Sequence, residues 1–193
     1  MPQPYKGRGM GWGPNTIFDR PDLAPLAANV CANWVLIEQQ LAWLFALLLA
    51  GEYSPDEPNS SSQFHPLGFQ ILDALNNIPT KLNLIERLLA WWKLDDELEE
   101  FRSSLKSQIS KRAKERNAVA HGLWAVDEEA LPDALILASR DGSPSLVYRK
   151  NDFEDASIRI IELEDNLKKF THSVHKTFLE RKRRGPLAGT RQP

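Results

Sequence analysis

The sequence predicts an all-α fold: a bundle of four to five helices with one small β-hairpin inserted before the last helix. Three observations predict it. From Ala27 onward, Val30, Trp34, Ile37, Leu41, Leu44 and Leu48 recur at alternating spacings of three and four, the seam of a helix. Farther on, Phe153, Ala156, Ile160, Leu163, Leu167, Phe170, Val174 and Phe178 sustain a second helical stripe. Between them, the apolar runs 134–139 and 145–149 flank Asp141-Gly142, a turn pair of the kind that closes a β-hairpin.

The elements follow in order. Residues 1–21 form a Gly- and Pro-rich arm read as irregular. Gly7, Gly9, Gly11 and Gly13 alternate beside Lys6 and Arg8, but no helix opens there and no Lys-Ser/Thr pair follows, which excludes a phosphate loop. A helical domain then spans 22–184, its first helix starting near Asp22. A second apolar line on that helix, Leu36, Trp43 and Leu47, needs a second cover besides the core, and another copy of the chain can supply it. The unbroken apolar run Leu41–Ala50 has ten residues, against roughly 20 needed to cross a bilayer, so a buried helix and no membrane contact are expected. Residues 52–65 read as a polar loop. A short helix over about 66–77 presents Phe69, Leu72 and Leu75, and Pro79-Thr80 restart the chain into a helix carrying Leu84, Ile85, Leu88, Leu89 and Trp92. The fourth helix begins near Asp95, where Asp95, Asp96 and Glu97 suit the positive end of the helix dipole. Its apolar line is Leu98, Phe101, Leu105, Ile109 and Ala113, and Gly122 marks its stop. The hairpin occupies about 133–150. Asn151 to Glu154 matches a helix-start box for the last helix, and residues 185–193 form a flexible tail.

Composition limits the function. With 24 basic and 26 acidic side chains the net charge is −2, so nucleic acid cannot be held by bulk charge and must meet a local patch. Two such patches are legible: Lys106 to Arg116, with five basic residues against one acidic, and the run Arg181-Lys182-Arg183-Arg184. The one cysteine, Cys31, lies in the first helix with no base beside it, reads as a core thiol, and fits a reducing, cytoplasmic setting. His172 and His175 are three apart but lack a third ligand, so neither a metal site nor any other cofactor is expected.

The segment that bears chemistry is Lys111 to Gly122. The apolar line continues by helical spacing to Arg116 and Ala120, and a buried guanidinium needs a partner. Glu38, the single charged residue between Leu23 and Gly51, is the expected one, either to hold Arg116 for catalysis or simply to neutralise it. Asn117 and His121 are four apart on a neighbouring face, with Lys114 one turn earlier. Arg, amide, imidazole and ammonium at one helix end suit a phosphate. Arg116 and Lys114 offset its charge, Asn117 donates a hydrogen bond or orients His121, and His121 moves a proton near neutral pH. Lys111, Arg112 and Trp124 are the expected nucleic-acid contacts, Trp124 by stacking on a base.

Arg116-Asn117-Ala118-Val119-Ala120-His121 resembles the Arg-x4-6-His motif of HEPN domains, including the polar residue that follows the Arg. The resemblance implies a helical dimer and, in many members, a metal-independent endoribonuclease that serves as a toxin with an antitoxin partner or in phage defence. It implies Arg116, Asn117 and His121 as catalytic residues, with RNA as substrate. Two other readings remain open at this level: a non-catalytic helical dimer binding a protein or nucleic acid, and a sensor holding a small phosphate ligand.

Overall fold

The computed structural model describes residues 1–7, 9–13, 15–50, 66–139 and 143–183. The loop expected over 52–65, the Asp141-Gly142 turn, Arg184 and the tail 185–193 lie outside them. The helices are α1 (Ala24–Ala50), α2 (Pro66–Asp73), α3 (Ile78–Trp91), α4 (Asp95–Glu100), α5 (Lys106–His121) and α6 (Lys150–Arg183). A π turn, Phe101–Leu105, joins α4 to α5 in one rod. Five strands accompany them: β1 (Gln3–Pro4), β2 (Gly11–Trp12), β3 (Leu123–Asp127), β4 (Leu131–Ala138) and β5 (Leu146–Tyr148). The protein is mostly helical, as expected. The contacts divide it into two units, residues 1–36 with 111–162, and 37–110 with 163–193.

The first unit holds more β-structure than the hairpin. That hairpin is present as β4–β5, pairing Leu135 with Tyr148, Ile136 with Val147 and Leu137 with Leu146. It is the middle of an antiparallel sheet of order β1-β5-β4-β3-β2. β3 follows α5 after a single residue and pairs Trp124 with Leu137 and Ala125 with Ile136. The arm, expected as irregular, includes two strands of two residues each and a short 3-10 turn, Thr16–Asp19. Its two short strands close both edges of the sheet, β1 on β5 and β2 on β3, which satisfies backbone groups that an open edge would expose. Gly122 permits the turn from α5 into β3 by its size. A Cβ there would lie 2.0 Å from Leu137 Cδ1 and 2.3 Å from the Ala118 carbonyl oxygen. Trp124, Tyr148 and Phe153 form an aromatic cluster with centroids 5.3 to 5.8 Å apart. The last helix starts earlier than the Asn151–Glu154 box indicates. The Arg149 N–H donates to Asp152 Oδ2 at 3.0 Å, which makes Arg149 the cap, and the α-amino group of Met1 pairs with the same carboxylate at 3.1 Å.

In the second unit α1 and α2 cross closely, since a Cβ on Gly68 would stand 2.7 Å from Ala46 Cα. α3 begins at Ile78, because the Asn77 side chain accepts the Thr80 N–H at 2.8 Å. Its end is a Schellman motif: Lys93 N–H bonds the Ala90 carbonyl, Leu94 N–H bonds the Leu89 carbonyl, and Lys93 takes φ 51°. Arg181 donates to the carbonyls of Trp92 and Lys93 at 2.5 and 2.6 Å and so caps the same end. A lysine in left-handed backbone is strained, and its exposed side chain makes none of these bonds. Lys93→Gly is therefore expected to stabilise the protein by about 1 kcal/mol, read as a higher midpoint in urea; an unchanged midpoint contradicts the strain.

Glu86 on α3 accepts from Lys106 Nζ at 2.6 Å and Arg102 Nε at 2.7 Å. Those bonds, Lys106 first, hold its carboxyl below the usual glutamate range. A depressed acid lends stability above its unfolded pKa and loses it as pH falls through the folded value. Urea titrations from pH 6 downward should show stability falling, with a shallower fall in Glu86→Gln; equal slopes would remove this pair from the acid response.

α1 is long and apolar enough to cross a membrane by length and composition, a test that a buried core helix also passes, and 56% of its 18-residue apolar stretch is buried inside the protein. Its seam residues from Leu23 to Leu48 are all buried. On the second line Leu47 is buried, while Leu36 and Trp43 remain 39% and 36% exposed.

Candidate functional site

The site lies in the first unit at the C-terminal end of α5. This segment is rich in Lys and Arg, which suit the negative end of a helix dipole. Side chains three, four and seven apart share a helix face. Lys114, Asn117 and His121 do so, and all three are exposed. None makes a side-chain hydrogen bond or ion pair among the described residues. Lys111 is exposed one turn earlier. An amide, an imidazole and two ammonium groups thus stand along one open ridge.

Arg116 is placed differently. Five residues before His121, it starts about 140° around the helix from it. It is half-buried, with its guanidinium carbon 5.5 Å above the centre of the Trp34 ring on α1, a cation–π contact. Cys31, one turn before Trp34, has its thiol pKa pushed up by burial, with the Arg116 charge pulling the other way. The convergence expected of four groups therefore holds for Lys114, Asn117 and His121, while Arg116 faces Trp34. Glu38 is half-buried in α1, in the second unit, whereas Arg116 belongs to the first.

Arg112 and Trp124, expected on RNA, are core residues. The buried line of α5 steps from Ile109 to Arg112 and Val119, and Ala120 is exposed. Arg112 Nη1 meets Glu115 Oε2 at 2.5 Å, and Glu115 Oε1 meets Arg159 Nη2 on α6 at 2.7 Å. One carboxylate thus bridges two guanidinium groups, with Asp155 3.8 Å from the second, and its pairing with Arg112 permits the burial of that side chain. Trp124 is 8% exposed, and its indole N–H donates to the Val119 carbonyl at 3.2 Å. A ring packed on Tyr148 and Phe153 offers no face to a base.

Sequence reasoning missed Trp34 as the support of Arg116, Glu115 as the partner of Arg112, and Arg159 as the second cation on Glu115. The three-residue step from Arg112 to Glu115 was a readable signal; nothing in the sequence announced Arg159. Tyr148 was missed as well. Burial first, then the charges of Glu115 and Asp152, push its pKa to about 12, against the opposing pull of Arg159. A raised acid lends stability below its unfolded pKa near 10 and loses it as pH rises through the folded value. In an ultraviolet titration Tyr148 should ionise near pH 12 or on unfolding, and Tyr148→Phe should remove that step. Ionisation near pH 10 in the folded protein would contradict its burial.

Among the described residues, no three His, Cys, Asp or Glu side chains are gathered as a metal would require. No family model, curated protein or solved structure matches the chain.

Proposed function

We propose that the protein is a HEPN-like, metal-independent endoribonuclease that acts as a homodimer in a toxin–antitoxin or phage-defence setting in the cytoplasm. The observation that carries this reading is the exposed Lys114–Asn117–His121 ridge, with the motif Arg116 to His121 around it. In this reading one imidazole takes the proton from an RNA 2′-OH. The oxygen attacks the adjacent phosphorus, the bond to the 5′-oxygen breaks, and a protonated imidazole gives that oxygen its proton. The products are a 2′,3′-cyclic phosphate and a 5′-hydroxyl. Lys114 offsets charge on the phosphorane, and Asn117 bonds a phosphate oxygen or aligns His121.

The chemistry wants two proton carriers, and each chain supplies one His121 at this end. A two-fold axis beside α5 brings in the second. It also brings a guanidinium from a different direction, which suits an Arg116 that faces away from its own His121. Val35 and Leu36 on α1 and Ile158 and Ile161 on α6 are exposed apolar side chains of this unit that a second copy can cover.

A second reading has its own support. Arg116 against Trp34 and Arg112 against Glu115 are structural uses of cations, as a non-catalytic HEPN-like dimer that binds a protein or nucleic acid would have. Incubation with a mixed-sequence RNA pool decides. The nuclease leaves cyclic phosphate and 5′-hydroxyl ends with or without EDTA. Intact RNA, or 3′-hydroxyl ends formed only without EDTA, contradicts it.

A further inference from the structure

The N-terminal arm leaves β1 at the β5 edge of the sheet and returns as β2 at the β3 edge, so it straps the sheet from side to side. It is anchored at several of its described residues. Tyr5 N–H bonds the Ser145 carbonyl at 2.7 Å, and the Tyr5 hydroxyl donates to Asp127 Oδ2 at 2.8 Å with the Gly9 carbonyl also in reach. Gly7 lies so close to the Tyr5 ring that a Cβ would meet its hydroxyl at 2.2 Å. Strap and sheet enclose a groove of about 650 Å³, within the size range of small-molecule sites. Leu131 and Val147 give it an apolar floor, Tyr5 an aromatic wall, Gln3 an amide, and Lys6 and Arg149 two cations. Arg149 touches Asp133 at 3.4 Å through Nε in an exposed pair, a weak tie that leaves its other nitrogens to a ligand.

We propose that this groove binds a nucleoside phosphate, with Lys6 and Arg149 on the phosphate and the base against Tyr5 and the apolar floor. An anion alone would not use the ring and floor, and an apolar ligand would leave two cations without purpose. The ligand is either a free nucleotide or one residue of an RNA strand, and the chemistry is the same for both. The groove shares no residue with the α5 ridge, so the proposal stands or falls apart from the cleavage reading.

The test uses the full chain carrying His121→Ala, so that bound RNA stays whole. Calorimetric titration with AMP, UMP, inorganic phosphate and a uridine decamer should show saturable nucleotide binding stronger than that of phosphate. Lys6→Ala with Arg149→Ala should weaken it roughly tenfold or more, and Lys169→Ala, at an exposed position outside both the groove and the ridge, should leave it unchanged. Decamer binding tighter than UMP that Lys6→Ala with Arg149→Ala weakens identifies a strand as the ligand of the groove; equal affinities identify the free nucleotide. Lys6→Glu, at an exposed position, repeats the test should the double variant unfold. Absence of saturable binding at millimolar nucleotide, or binding indifferent to Lys6 and Arg149, overturns the proposal.

Discussion

His121→Ala is expected to lower RNA cleavage by about 10²–10⁴-fold, the usual contribution of a proton-transferring side chain. Its unfolding midpoint and oligomeric state should stay those of the wild type. Both halves follow from one placement: His121 is exposed at the end of α5 and holds no partner among the described residues, so its removal empties no core. Asn117→Ala and Lys114→Ala stand on the same open ridge and should also spare stability. Lys114→Ala should lower kcat as well as flatten the salt dependence, because it offsets charge that develops on the phosphorane and carries no proton of the reaction. A His121→Ala protein that cuts RNA at the wild-type rate removes the ridge from catalysis.

Trp124→Ala carries the largest expected loss of stability, about 3–5 kcal/mol. The ring packs against Tyr148 and Phe153 at 5.4 and 5.8 Å and ties β3 back to α5 through the Val119 carbonyl. Truncation leaves a cavity and frees that carbonyl. Trp124→Phe keeps most of the packing and loses the bond, and should cost about 1 kcal/mol. Urea unfolding followed by circular dichroism measures both. If Trp124→Ala instead left stability unchanged and weakened RNA binding, Trp124 would be a stacking residue after all.

What the sequence made legible was periodicity. The seam of α1 and the stripe of α6 repeat often enough for helical spacing to stand out, and their residues are the buried ones. β3 was illegible because Leu123–Asp127 follows α5 after one residue and gains its reason for being a strand from β4. The strands of the arm are two residues each and have no pattern of their own. The start of α6 was displaced because two boxes compete there, and Asp152, held also by the Met1 amino group, supplies the cap.

The candidate site divides in the same way. Asn117 and His121 share a face because four residues make about one turn, which spacing alone reveals. Arg112 and Glu115 stand three apart, a pairing that spacing alone reveals, whereas the second cation on Glu115, Arg159, is far along the chain and enters only through folding. Helical spacing turns Arg116 toward the interior, and it is half-buried; that Trp34 receives it depends on tertiary contact.

The shared site is tested most directly by subunit mixing. Wild type and His121→Ala, co-refolded in varied proportions at constant total protein, exchange into mixed dimers. If each cleavage site needs His121 from both subunits, activity follows the square of the wild-type fraction. Activity that follows the wild-type fraction linearly would place the whole site within one chain and contradict the account.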